Sequence, residues 1–182
     1  MRGATLVLLI AVTAAACTAG SGMFTEIALD TAAPSTPAEL LLGGGRAFGE
    51  CGGFCLSELV LRTDGRVILE LSRWDGERPR TISNRGTLST EALALARALA
   101  ARLDRISREE TYGCPDCTDA GAAWVQTWTK DMPVRSTYDY GRPPRSLAPA
   151  DRFLAGLIDA LDACEATDAV MVEPDCTPRP SY

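Results

Sequence analysis

Leu56-Ser-Glu-Leu-Val-Leu-Arg-Thr-Asp-Gly-Arg-Val-Ile-Leu-Glu-Leu-Ser-Arg73 is the stretch whose reading decides the fold. Two β-rich runs, Leu56–Arg62 and Arg66–Arg73, flank Thr63-Asp64-Gly65, and the Asp-Gly pair supplies the positive φ that a tight turn needs. The stretch therefore predicts a β-hairpin. Leu59 and Leu61 share one face of the first run, while Val67, Leu69 and Leu71 share one face of the second, because side chains alternate along a strand.

Working outward, Arg80 to Leu88 extends the pattern as a third strand with weaker alternation. Ser89 follows as a helix N-cap, with Glu91 in the first turn. Leu88, Ala92, Leu95, Leu99, Leu103 and Ile106 then recur at three- and four-residue spacing, which predicts an amphipathic helix. Beyond a loop around Cys114-Pro115-Asp116-Cys117, Ala122–Lys130 and Val134–Tyr140 read as two strands that turn at Asp131-Met132-Pro133. Pro149 opens a second helix. Its apolar stripe is Phe153, Leu154, Leu157, Ile158 and Leu161, ending near Cys164. The order β-β-β-α-β-β-α predicts an α+β fold: a mainly antiparallel sheet of about five strands with two helices on one face.

Upstream, Arg2 precedes the apolar run Ala4–Ala16, which ends in small residues directly before Cys17. That is the pattern of a secretory signal peptide, and the run is shorter than the roughly 20 apolar residues that span a bilayer. Thr13-Ala14-Ala15-Ala16-Cys17 resembles the lipobox of bacterial lipoproteins, in which the cysteine is acylated and becomes the new N-terminus. Ala14 departs from that pattern, since leucine is commonest there, and Ala14-x-Ala16 also suits ordinary signal peptidase and plain secretion. The chain has seven cysteines. Lipidation of Cys17 leaves Cys51, Cys55, Cys114, Cys117, Cys164 and Cys176, an even set able to pair in an oxidising compartment. Six cysteines allow fifteen connectivities, among which the sequence does not choose, and the expectation taken here is the local set Cys51–Cys55, Cys114–Cys117 and Cys164–Cys176.

The expected domain plan follows. Residues 1–16 are the leader, and 17–45 are a lipidated terminus and flexible tether rich in Ala, Gly, Ser, Thr and Pro. Residues 46–165 are one disulfide-stapled domain, large enough for a single hydrophobic core. Residues 166–182 are a Pro-rich tail. The layout of residues 46–165 also looks like small exported bacterial domains of unknown function, a resemblance that implies no activity.

Charge and composition exclude several functions. The net charge is −6 and grows more negative once Arg2 leaves with the leader, so binding to nucleic acid is disfavoured. The chain contains no histidine, so imidazole-activated nucleophiles are excluded. A Ser–Lys dyad would depend on Lys130, the single lysine, placed at a solvated turn. The glycines between Gly43 and Gly53 lack the ending of a phosphate loop and the spacing of a dinucleotide fingerprint. Glu109/Glu110 and Asp116/Asp119 are carboxylate pairs of the type used in glycoside hydrolysis, but in an acidic protein they read as hydrated surface. No catalytic residue, cofactor or metal ligand is assigned.

Two motifs keep a functional alternative. Cys114-x-x-Cys117 could cycle between dithiol and disulfide, yet it follows a helix and precedes a strand, the reverse of the thioredoxin arrangement. A four-cysteine zinc site with Cys51 and Cys55 has permissible spacing, but export converts such thiols to disulfides. A structural staple is the expected role. Trp124, Gln126 and Trp128 share one strand face: packed under a helix the tryptophans are core, which is the expected role, and exposed they would stack on sugar rings. The functional expectation is a non-enzymatic envelope module, either binding a partner or purely structural, with a thiol–disulfide redox protein built on Cys114/Cys117 as the alternative. The module is held at the cell membrane or outer membrane by a lipid anchor, outside the cytoplasm, and as a binding module meets an unknown protein or glycan partner.

Overall fold

A computed structural model of the chain describes residues 39–49, 51, 53–75, 78–115, 117, 120–129, 132–166 and 172–176. The leader, Cys17, Asp116, Asp119 and Lys130 lie outside the described residues. The elements run β1 (Leu40–Ala47), β2 (Leu56–Arg62), β3 (Arg66–Asp75), β4 (Arg78–Leu88), α1 (Thr90–Leu103), β5 (Thr111–Tyr112), β6 (Ala122–Thr129), β7 (Met132–Asp139), α2 (Ala148–Ala163) and β8 (Val172–Asp175). The strands form one sheet in the order β5-β7-β6-β1-β2-β3-β4-β8. All neighbours are antiparallel except β5 and β7. The class is α+β, as expected.

The deciding hairpin forms with Leu59 opposite Leu69 and Leu61 opposite Val67. Gly65 takes φ 90° at the turn, and the Asp64 carboxylate accepts from the Arg66 backbone N–H at 3.0 Å and from its Nε at 2.7 Å. Leu59, Leu61, Val67, Leu69 and Leu71 all fall on the face that joins the single apolar core with α1 and α2.

Both helices start where the sequence marks them, but α1 ends at Leu103, one turn before Ile106 of the expected stripe. The Ser89 hydroxyl accepts from the Ala92 N–H at 3.1 Å, satisfying one of the first-turn donors that a helix leaves open. Ser89→Ala should lower stability by about 1 kcal/mol in a urea titration, and an unchanged midpoint would show that the cap contributes nothing. The buried stripe of α1 is Ala92, Ala96, Leu99, Ala100 and Leu103, whereas Leu95 is half exposed. Three alanines and two leucines make up that face. In α2 all five residues of the expected stripe are buried, with Pro149 in the first turn. At its other end Cys164 takes a left-handed φ of 58° and Glu165 N–H closes on the Ala160 carbonyl at 3.0 Å. The buried Asn84 amide donates to the Leu161 carbonyl at 2.6 Å, so a sheet side chain caps the same turn.

The sheet has eight strands, not about five. The three additions are β1, β5 and β8. β1 begins within the segment 17–45, read as tether because Gly43-Gly44-Gly45 carries no strand signal, and crosses the expected boundary to end at Ala47. It nevertheless sits in the middle of the sheet, paired with β2 on one side and β6 on the other. β8 lies within the segment 166–182, read as tail because of its prolines, and Pro174 is tolerated there because β8 is an edge strand. The Cys164–Cys176 bridge, with Cα atoms 5.9 Å apart, ties β8 to the end of α2. β5 is two residues long and too short to leave a periodic signal.

A candidate ligand groove on the open face of the sheet

Strand alternation divides β6 into two faces. Ala123, Val125 and Thr127 are buried toward the helices, and Trp124, Gln126 and Trp128 project from the opposite face. This corrects the expectation that the tryptophans pack under a helix. The reason lies in β1. Leu154 of α2 presses so close to Gly44 that a Cβ there would lie 2.8 Å from its Cδ1, leaving no room for an indole on that side. On the other side Gly43 and Gly45 remove two side chains from the centre of the sheet. The Trp128 ring lies over Gly43, with Cη2 2.9 Å from the position of a Cβ, and the Trp124 ring lies over Gly45. The three glycines thus give helix and indoles opposite faces of one strand.

A groove of about 280 Å³ results. Gly43 and Val60 line its floor, Trp128 and Gln126 rise from β6 on one side, and Ile68 and Glu70 rise from β3 on the other. Arg135 of β7 organises the β6 wall. Its guanidinium stacks 4.7 Å from the centroid of Trp124, its Nε donates to Gln126 Oε1 at 2.9 Å, and its Nη2 lies 3.3 Å from Glu58 Oε1. Trp124 is therefore enclosed between Gly45 and Arg135 and only 7% exposed. Trp128 stays partly exposed. Glu58 and Glu70 stand directly opposite each other across β2 and β3, and Arg135 reaches only the first. Two carboxylates facing each other repel, so this arrangement carries a cost.

A second cavity, of about 180 Å³, lies between α2 and the end of β1. Its charged groups satisfy one another: Arg46 pairs with Asp159 at 2.7 Å and donates to the Ala155 carbonyl at 3.0 Å. The Tyr138 hydroxyl donates to Asp151 Oδ1 at 2.7 Å. Burial, and then the adjacent carboxylate, push the Tyr138 phenol well above its ordinary range. Such a set holds α2 on the sheet and leaves few groups for a ligand.

The cysteines pair locally. Cys51 and Cys55, with Cα atoms 5.6 Å apart, clip the β1–β2 connection. Cys114 and Cys117, at 5.5 Å, close a turn between β5 and β6 in which Cys117 N–H donates to the Cys114 carbonyl. That turn opens no helix, so neither sulfur faces the positive end of a helix dipole that would acidify a thiol. Each pair stays within its own loop, and among the described residues no three His, Cys, Asp or Glu side chains gather as a metal site. Glu109 and Glu110 are exposed, and the Glu110 carbonyl accepts the Thr137 N–H that anchors β5 to β7.

Of the groove, the sequence indicated the Trp124, Gln126 and Trp128 face. It did not indicate Glu58, Glu70, Arg135 or the glycine floor, because these meet only across four strands. The one signal was the glycine run Gly43-Gly44-Gly45 directly after the apolar Leu40–Leu42, which frees both faces of a strand of side chains. No family model and no curated protein matches the sequence. Among the described residues no helix is long and apolar enough to cross a membrane.

Proposed function

We propose that the chain is an exported lipoprotein, anchored at Cys17, whose domain is a non-enzymatic binding module that seats its partner on the open face of the sheet. The observation that carries the binding half is the groove itself. Gly43 clears its floor, the Trp124 indole is held between Gly45 and Arg135, and the polar side chains Gln126, Glu58 and Glu70 line it. Concave surfaces with one apolar wall and a few fixed polar groups are how proteins hold ligands. The anchor half rests on the lipobox-like Thr13–Cys17 and on the pairing of the six other cysteines among themselves. Several acyl chains on one residue hold a protein at a bilayer, which presents the groove to envelope partners without a spanning helix.

Two measurements test this reading. Cells fed alkyne-palmitate should label the wild-type chain and keep it in the membrane fraction, whereas Cys17→Ser should lose the label and appear in the soluble fraction. Label persisting on Cys17→Ser removes the anchor. For the binding half, p-benzoyl-phenylalanine at position 60, on the groove floor, should give a discrete photo-adduct in whole cells. The same residue at position 105, exposed beyond α1, should not. Equal adducts from both positions, or none from position 60, remove the groove from the function.

A further inference from the structure

The chemistry of the groove selects among the partners a binding module could take. Building on that reading, we propose that the groove holds a neutral glycan, with a pyranose ring stacked on Trp128 and hydroxyls bonded to Gln126, Glu58 and Glu70. Three observations exclude the alternatives in turn.

The first concerns an extended peptide. β6, β1, β2 and β3 lie inside the sheet, each paired on both sides. The groove therefore offers no backbone N–H or C=O for strand addition, and a bound peptide would leave its own amides unpaired, at about 1–3 kcal/mol for each one buried. The second concerns an apolar helix or lipid chain. Covering Gln126, Glu58 and Glu70 with hydrocarbon would strip their water without replacing its hydrogen bonds. The third concerns charge. The chain is acidic overall, and the groove holds two carboxylates against the one guanidinium of Arg135, so an anionic polymer is repelled.

A pyranose meets all three conditions. It has a flat face rich in C–H groups and a rim of hydroxyls that donate and accept, which is the division the groove presents. The indole of Trp128 rests on Gly43 and remains partly exposed, so it is the stacking platform. Trp124 is covered on both sides and acts as a positioning residue, holding Arg135 where it orients Gln126 and Glu58. At about 280 Å³ the groove falls just below the range of about 300–1,000 Å³ for sites that enclose a whole drug-sized ligand, so it grips a ring or two of a longer chain.

The test is a titration of the full chain in detergent with neutral tetrasaccharides: β-1,4-linked N-acetylglucosamine, β-1,4-linked glucose and α-1,6-linked mannose. Heat and tryptophan fluorescence report binding. At least one should bind saturably, with Trp128→Ala weakening it about tenfold or more, Trp128→Phe falling between, and Gln126→Ala weakening it several-fold. Circular dichroism of the Phe and Gln126→Ala variants should match the wild type, which keeps the result readable if Trp128→Ala fails to fold. Absence of binding by all three sugars at millimolar concentration overturns the proposal, as does binding indifferent to Trp128 and Gln126. Binding of pentalysine instead of the sugars also overturns it. A sugar-free protein adduct from position 60 would overturn the glycan while sparing the binding module, whereas no adduct and no sugar would end both.

Discussion

Gly45→Ala should destabilise the domain by about 2–3 kcal/mol, seen as a lowered urea midpoint with an unchanged slope. A Cβ at this position would run into the Ser57 carbonyl of β2 and the indole of Trp124. The carbonyl belongs to the backbone of a neighbouring strand and cannot yield without opening the β1–β2 ladder. Overpacking of this kind costs about 1–3 kcal/mol or more, and the smaller unfolded-state entropy of alanine returns only about 0.5–1 kcal/mol. Gly43→Ala is the control. Its nearest neighbour is Trp128 Cη2 at 2.9 Å, the free end of a side chain, with Leu59 O at 3.2 Å. The indole can tilt away, so overpacking and entropy nearly cancel and the midpoint should move by less than about 1 kcal/mol. Equal effects at the two glycines would mean that β1 does not lie beneath Trp124.

Above pH 10 the domain should lose stability through Tyr138. The phenol is 1% exposed and donates to Asp151, and its ionisation would place a phenolate beside a carboxylate out of water. The folded state therefore holds the proton to a higher pH than the unfolded chain, in which a tyrosine titrates near ~10. A raised folded pKa means stability that is complete below the unfolded value and lost as pH climbs above it. The slope approaches about 1.4 kcal/mol per pH unit, so this one group removes nearly ~3 kcal/mol between pH 8 and pH 12. Tyr138→Phe isolates the contribution from those of other alkaline groups. At pH 8 the variant should be less stable by about 1 kcal/mol, the worth of a buried hydrogen bond. At pH 12 it should be more stable than the wild type by about 2 kcal/mol, with the curves crossing between. Parallel curves would show that Tyr138 ionises as freely folded as unfolded.

The sequence announces the structural role of neither Gly45 nor Tyr138, and the cause is the same in each. Tyr138 meets Asp151 only because β7 runs beneath the start of α2, and nothing in their spacing announces the pair. Gly43-Gly44-Gly45 reads as linker because strand propensity measures how well side chains fit a pleated surface, and glycine has none to fit. β8 reads as tail for a similar reason, since Pro174 forbids a central strand but not an edge. Alternation told correctly that Trp124, Gln126 and Trp128 share a face. It carried no information on which face the helices cover, and hydrophobicity pointed to the wrong one.

What the sequence by itself determined is everything set by near neighbours. The Asp64-Gly65 turn, the Ser89 cap and the α2 stripe each rest on residues close to one another in sequence, whereas the choice among the fifteen possible cysteine pairings was left to the tertiary structure. In the turn, the cap and the stripe the local free energy is large enough to choose a conformation unaided. What only the tertiary structure decided, besides that pairing, is the use of empty space. Whether a glycine is a hinge or a seat depends on what lies above it, and an indole crossing Gly43 or Gly45 supplies its burial from another strand. The floor of the groove is built from such non-local contacts, whereas Trp124, Gln126 and Trp128 share a face by alternation along one strand. That is why its walls were half legible and its floor was not.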